Sequence, residues 1–243
     1  SKCFYFIFYK KMAKRCVTVL VIGESGTGKS QNGWGFLQKN GAFETNSSPD
    51  TCTYITSAQS NTINGITRYY IDTQGLSDPE QKDAEFIQQM VEFLKNWKLG
   101  INSFLIMLNI QNPRFDAGIQ QMIMIINDFF NNPDFWNQAG LVFTRCYPGY
   151  FDRKMGETQY RQKVINFIKS LPNCENINPQ MPCFFVDSVN WDTDKDTMNE
   201  YIRMFEFAHK NDPVPTQNLK VVRPDYKSSE EEKSEKKSSD EEK

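Results

Sequence analysis

Eight consecutive residues, Gly23-Glu24-Ser25-Gly26-Thr27-Gly28-Lys29-Ser30, have the composition and spacing of a phosphate cradle. The run reads G-x-x-x-x-G-K-S, the P-loop pattern. In such a turn the backbone N–H groups of Gly23, Glu24, Ser25, Gly26, Thr27 and Gly28 converge on a polyphosphate. The helix that begins beside Gly28 and runs on through Gln31 adds unpaired amides and the positive end of its dipole. Gly23, Gly26 and Gly28 omit the Cβ that would obstruct unusual backbone angles or the approach of phosphate. Lys29 is placed to reach the β- and γ-phosphates as the catalytic cation, and the Ser30 hydroxyl to ligate Mg²⁺. A glycine-rich turn that binds nothing is the alternative, and eight constrained positions behind an apolar strand argue against it.

A second anchor is Asp72-Thr73-Gln74-Gly75. A D-x-x-G run directly after an apolar strand puts a carboxylate at that strand's C-terminal end, beside the P-loop. There Asp72 can hold Mg²⁺ through a water, and the Gly75 N–H can sense the γ-phosphate and take part in catalysis. Asp and Gly are ordinary turn residues, so the motif gains its force from its place behind a strand and from its pairing with the P-loop.

These two anchors need strands ending at one edge of a sheet. Cys16–Ile22 is a continuous apolar, β-branched run, as a strand buried on both faces requires. A helix over Gln31–Lys39 stops at Asn40-Gly41, and Ala42–Thr53 is a polar loop. Strands over Tyr54–Gln59 and Ile66–Ile71 flank the hairpin signal Asn64-Gly65. The Gln81–Trp97 segment places Ala84, Ile87, Met90, Val91, Leu94 and Trp97 on one helical face. Then come a strand over Ser103–Leu108, a loop over Asn112–Asp116 and a helix over Ala117–Phe130. A strand over Gly140–Thr144 and a helix over Glu157–Leu171 follow. The last elements are a strand over Cys183–Val186 and a helix over Asp194–Lys210, capped by Asp192 or Thr193. The alternation predicts an α/β, three-layer P-loop domain: a mostly parallel six-stranded sheet covered by helices on both faces.

The formal net charge of −2 is accounted for by Lys227–Lys243, which holds 5 Lys against 7 Asp and Glu. The rest is near neutral and carries no global footprint for nucleic acid or an anionic membrane. Six scattered cysteines without a C-x-x-C and a single histidine, His209, argue against a zinc site or a His-based triad. Unclustered thiols in a nucleotide-binding chain indicate a reduced, cytoplasmic setting. No run approaches the roughly 18 apolar residues of a membrane span. The expected divisions are an N-terminal extension over residues 1–13, a nucleotide domain over 14–212 and a disordered charged tail over 213–243. The apolar run Cys3–Tyr9 reads as a signal-like fragment, an edge strand or residues upstream of a start at Met12.

The middle of the chain narrows the class. Asn102-Ser103-Phe104-Leu105-Ile106-Met107-Leu108, then Asn112-Pro113-Arg114-Phe115-Asp116 and a long helix, resembles the conserved box of the AIG1/GIMAP family of GTPases. That family is related to the chloroplast import-receptor and septin GTPases. The P-loop, Asp72-Thr73-Gln74-Gly75-Leu76 and Leu141-Val142-Phe143-Thr144-Arg145 match as well, and the similarity covers about residues 14–210. The resemblance implies a G domain that binds GTP or GDP with Mg²⁺, dimerises when nucleotide is bound, and hydrolyses GTP. Thr144 and Arg145 fall where GTPases begin the guanine-recognition pattern N/T-K-x-D, yet Cys146, Tyr147 and Pro148 follow and no Asp is present. Asp187 and Ser188 fall in the final base-contacting loop, where Asp187 is a candidate replacement acceptor. Thr51 and Thr53 compete for the switch threonine that closes over Mg²⁺. Arg114 is a candidate to contact a partner's nucleotide, or else pairs with Asp116. Leu76 stands where Ras-type enzymes carry a water-orienting glutamine, so slow hydrolysis is expected. A non-hydrolysing nucleotide-gated scaffold and a P-loop NTPase without guanine selectivity are the alternatives. Relatives work at membranes, which leaves peripheral association with endomembranes open.

Overall fold

Strand β1 (Cys16–Gly23) lies near the middle of a six-stranded sheet of order β2-β3-β1-β4-β5-β6. The computed structural model describes residues 15–44, 56–75, 82–111, 115, 117–130, 132–147, 159–177 and 179–216. Around β1 stand β2 (Ser57–Ile63), β3 (Ile66–Asp72), β4 (Ser103–Asn109), β5 (Ala139–Thr144) and β6 (Cys183–Phe185). Only β2 runs antiparallel. The helices are α1 (Lys29–Leu37), α2 (Lys82–Asn96), α3 (Ala117–Phe130), α4 (Arg161–Lys169) and α5 (Lys195–Lys210), with a 3₁₀ helix over Pro133–Gln138.

The unbroken apolar sequence of β1 is explained by burial on both sides. Val17, Val19 and Val21 join one core with Phe36 and Leu37 of α1 and Tyr201, Met204 and Ala208 of α5. Leu20 and Ile22 join the other, with Leu94 of α2, Ile123 of α3 and Val164 of α4. Each face therefore takes alternate residues, and helices cover both.

Register fixes the functional edge. Val21 pairs with Asp72, Gly23 with Met107, Asn109 with Thr144 and Phe143 with Phe185. The C-terminal ends of the parallel strands thus meet along one rim, the usual place for a ligand in an open α/β sheet.

Several element ends differ from the expected ones. Asn64 and Gly65 both have positive φ (52° and 76°), as a two-residue hairpin loop demands. Ile63 therefore pairs with Ile66, and β2 runs up to the turn instead of ending at Gln59. Helix α1 begins at Lys29 and closes at Gln38, itself left-handed at φ 50°, before Asn40-Gly41 is reached. The α5 cap is Asp194, whose carboxylate accepts from the N–H groups of Asp196 and Thr197. Asp192 and Thr193 are taken up by a preceding turn in which the Thr193 and Asp194 N–H groups both donate to Asn190 O.

The folded body also extends past the expected boundary at residue 212. Val214 and Ile101 exchange backbone hydrogen bonds of 2.9 and 2.8 Å, and the buried Thr216 hydroxyl donates to Trp97 O. The remainder of the expected tail, and the extension before Arg15, lie outside the described residues.

Asn102 locks the entry to β4. Its Oδ1 accepts from the buried Thr18 N–H at 2.9 Å, its N–H donates to Thr18 O, and its Nδ2 donates to Asn211 O. Asn102→Ala strands a buried N–H in the central sheet, so we expect a loss of about 1–3 kcal/mol in urea unfolding. A change below about 0.5 kcal/mol would show that water replaces the side chain.

Candidate nucleotide site

The turn after β1 has the backbone form of an anion cradle. Gly26 and Gly28 are left-handed, at φ 74° and 84°, where a side chain would be strained. The Thr27 N–H and hydroxyl both donate to Glu24 O, closing the loop at 3.3 and 2.8 Å. Gly28 caps α1 without a side-chain hydrogen bond, and the first turn of α1 carries no acidic residue. Helix N-termini ordinarily recruit an acceptor side chain; this one has no side-chain cap, the form a helix end takes where an anion docks.

Lys29 is buried, and its Nζ bridges Gly23 O at 3.0 Å and Glu24 O at 2.8 Å. The ammonium is thereby held across the mouth of the loop. Tyr70 on β3 supports the first turn of α1 from below: its hydroxyl donates to Lys29 O at 2.6 Å and accepts from Asn32 Nδ2. Burial pushes that phenol well above its ordinary range, so it stays a donor. Tyr70 escaped the sequence reading, since only its place in the strand before Asp72 hints at it.

Asp72 sits beside this cradle. Its Oδ2 accepts from the Ser30 hydroxyl at 2.5 Å, while its Oδ1 is buried without a hydrogen-bond partner. Burial raises its pKa, opposed by the Lys29 charge and by the Ser30 hydrogen bond. A buried carboxylate with an unspent oxygen, joined to a hydroxyl, is the donor set of a hard divalent cation. Among the described residues no cluster of three His, Cys, Asp or Glu exists, and Mg²⁺ held by one carboxylate plus phosphate oxygens needs none. The residues therefore fit Mg²⁺.

The D-x-x-G turn is clamped to the P-loop. The Thr73 hydroxyl donates to Val21 O at 2.7 Å. A Cβ on Gly75 would lie 2.4 Å from Ser25 N and Cα, so only glycine allows this approach.

At the other end of the rim, side chains reach back to the phosphate loop. The buried Thr144 hydroxyl donates to Thr27 O at 2.8 Å, and Arg145, left-handed at φ 59°, donates from Nη2 to Gly26 O at 3.1 Å. Both brace the phosphate loop. Asp187 is 1% exposed; its oxygens accept from Val189 N–H at 3.2 Å and Asn190 Nδ2 at 2.7 Å. Asp187, the expected acceptor toward a base, thus also braces its own loop. Ser188 contributes its carbonyl, which accepts from Gln31 Nε2 at 3.3 Å and ties α1 to this loop. Residues 23–31, Asp72, Gly75, Thr144, Arg145, Asp187 and Ser188 are thus gathered at one rim. Thr51, Thr53 and Arg114 lie outside the described residues.

No curated protein is a significant sequence match to the chain. Among solved structures it is similar to Toc33 from Arabidopsis thaliana in complex with Mg²⁺ and GMPPNP. That match has a TM-score of 0.65 and 18% identity, and covers 89% of this chain and 92% of the other. Toc33 with GDP and Mg²⁺ gives 0.65 and 18%, covering 90% and 94%. A further structure, with a TM-score of 0.65, 18% identity and coverage of 90% and 91%, concerns chloroplast translocon components atToc33 and psToc159. Dimerisation is important for the GTPase activity of those proteins. At this identity the likeness shows the fold. The AIG1 family profile matches residues 17–166, more than half of the chain and the whole stretch from β1 through the resembling box into α4; the chain belongs to the AIG1 family.

Proposed function

We propose that the chain is a guanine-nucleotide switch that binds GTP and GDP with Mg²⁺, hydrolyses GTP slowly and dimerises when nucleotide is bound. The observation that carries this reading is the Ser30–Asp72 pair, with its unpartnered Asp72 oxygen, beside a P-loop whose helix lacks a side-chain cap. The AIG1 membership and the nucleotide complexes of the Toc33 relatives support it. Bound Mg²⁺ would neutralise charge on the β- and γ-phosphates. Lys29 would contribute a positive charge at the transferred group, the loop amides would orient the phosphates, and Gly75 would report the γ-phosphate to the chain beyond it.

Leu76 follows Gly75, so no glutamine stands there to orient the attacking water. This supports slow intrinsic turnover, with Arg114 from a second copy as the candidate to raise it. The same observation favours the second reading, a nucleotide-gated scaffold with no meaningful hydrolysis. Phosphate release from GTP, followed over a day beside sedimentation in GDP and in GMPPNP, separates them. Release over minutes to hours supports the GTPase, whereas assembly without release supports the scaffold. The proposed setting is cytoplasmic with peripheral contact to endomembranes. No helix among the described residues is long and apolar enough to cross a membrane.

Gly75→Ala tests the sensing contact. Its Cβ cannot share space with the Ser25 backbone, so the turn must lift from the loop. GMPPNP affinity should fall at least about tenfold, with GDP affected less, because one γ-phosphate hydrogen bond to a charged group is worth about 1.5–3 kcal/mol. Equal losses for both nucleotides would assign Gly75 to loop support alone.

A further inference from the structure

Three alternate residues of β3, Arg68, Tyr70 and Asp72, are buried and each reaches α1. Arg68 Nη1 donates to Phe36 O at 3.1 Å, in the last turn of the helix. The Tyr70 hydroxyl donates to Lys29 O in the first turn, and the Asp72 carboxylate accepts from the Ser30 hydroxyl. One strand face thus holds the helix at its far end, at a first-turn carbonyl and at a first-turn side chain.

The middle contact is tightly built. The rings of Phe36 and Phe43 lie against that of Tyr70, with centroids 5.9 and 5.5 Å away. A Cβ on Gly33 would come within 3.1 Å of Tyr70 Cδ1 and 2.6 Å of the Phe43 ring. Glycine weakens a helix interior, and here it lets α1 settle onto the aromatic pair. The direction of the hydrogen bond follows from its neighbours. Asn32 Nδ2 can only donate, so the phenol oxygen accepts from it, and the Met107 sulfur at 3.8 Å is a weak acceptor. The single phenol proton therefore goes to Lys29 O at 2.6 Å.

That carbonyl shares one planar peptide with the Ser30 N–H, which points the opposite way, toward the N-terminal end of the helix and the phosphate loop. Fixing the carbonyl fixes the amide. A hydrogen bond accepted at the C=O also polarises the N–H of the same plane and makes it a stronger donor. Asp72, two residues along the strand, holds the hydroxyl of the same serine.

We propose that Tyr70 is a positioning residue of the nucleotide site, aiming the Ser30 N–H at the β-phosphate through the Lys29–Ser30 peptide while Asp72 aims the Ser30 hydroxyl at Mg²⁺. The inference rests on the nucleotide reading above and names the residue that sets its β-phosphate contact. GDP and GMPPNP both carry that phosphate, so Tyr70 serves both alike.

The test is calorimetric titration of GDP and GMPPNP with Mg²⁺ into the full chain, wild type, Tyr70→Phe, Arg68→Met and Lys29→Ala. Circular dichroism confirms that each variant is folded. Tyr70→Phe keeps the ring and removes only the hydroxyl. Both nucleotides should weaken together by about 3- to 10-fold, the worth of one hydrogen bond. Arg68→Met removes a bond between the same strand and the same helix, so it reports what a loosened α1 does by itself. Its affinities should stay within about twofold of wild type. In isotope-labelled protein the Ser30 amide proton should move downfield on binding GDP, and by less in Tyr70→Phe. Four results each overturn the positioning role while Lys29-dependent binding keeps the nucleotide reading intact. They are Tyr70→Phe affinities within about twofold of wild type, a loss confined to GMPPNP, an equal loss in Arg68→Met, or a Ser30 shift unchanged by Tyr70→Phe. Absence of Lys29-dependent binding for both nucleotides overturns both.

Discussion

Lys29→Ala should lose nucleotide binding by at least about a hundredfold while the chain remains folded. The ammonium is buried and held on two carbonyls of the phosphate loop, where a bound polyphosphate would meet it. Each hydrogen bond between charged partners is worth about 1.5–3 kcal/mol, and Lys29 is positioned to make two of them with polyphosphate oxygens. Two such bonds at the low end already amount to about 3 kcal/mol, or more than a hundredfold in Kd. The fold depends on Lys29 far less. Of the two carbonyls it bridges, Glu24 O keeps the Thr27 N–H and hydroxyl as donors. The readout is the thermal midpoint with and without GTP and Mg²⁺. Ligand at a hundred times its Kd stabilises the wild type by about 2.7 kcal/mol, several degrees for a domain of this size. The variant should show no ligand-dependent rise and a ligand-free midpoint within a few degrees of wild type. A retained rise would mean that the loop amides alone bind the phosphates.

The parts of this site that could be read from sequence are those whose chemistry is local. The P-loop announces itself because eight adjacent residues must satisfy one backbone shape, and Asp72 because its strand leads directly into it. The sheet followed for a similar reason: strands buried on both faces and helices with one apolar stripe are properties of short segments. What escaped depends on contacts between distant residues. Thr144 was placed by its position at the start of the guanine pattern, and sequence does not show that its hydroxyl reaches Thr27 O across 117 positions. Asp187 was a candidate acceptor by position alone, and nothing in the sequence shows that the loop folds back and sets Val189 N–H and Asn190 Nδ2 on it. Val214 falls in a proline-rich stretch that reads as linker, and only the open backbone edge at Ile101 turns it into a bridge. The α5 cap was misplaced by one or two residues for a different reason. Asp192, Thr193 and Asp194 are all good caps, and the turn closed on Asn190 O decides among them.

Asp72→Asn should move stability and function in opposite directions. In the folded chain burial raises the Asp72 pKa above its ordinary value. The folded state then binds that proton more tightly than the unfolded state does. Its contribution to stability is full below the ordinary carboxylate pKa and is lost as pH rises through the folded value. At neutral pH the ionised carboxylate therefore weighs against the ligand-free fold, and an amide of the same shape removes that cost. Asparagine can still accept from the Ser30 hydroxyl, so the local geometry survives. The ligand-free variant should unfold at a higher urea concentration than wild type at pH 7, and the advantage should shrink as pH falls into the carboxylate range. Cation binding needs the charge that folding disfavours. Loss of a carboxylate that supports a metal through its water typically costs 10- to 100-fold in affinity, so the tightening of GTP binding by Mg²⁺ should fall by about that factor. Wild type in EDTA should then bind GTP about as the variant does with or without Mg²⁺. A variant less stable than wild type at pH 7 would show that the charged carboxylate supports the ligand-free fold, through Lys29 and Ser30. A variant that keeps the Mg²⁺ effect would remove Asp72 from the metal site. The two measurements are independent, and a rise in one beside a loss in the other marks Asp72 as a residue kept for its ligand at the expense of the fold.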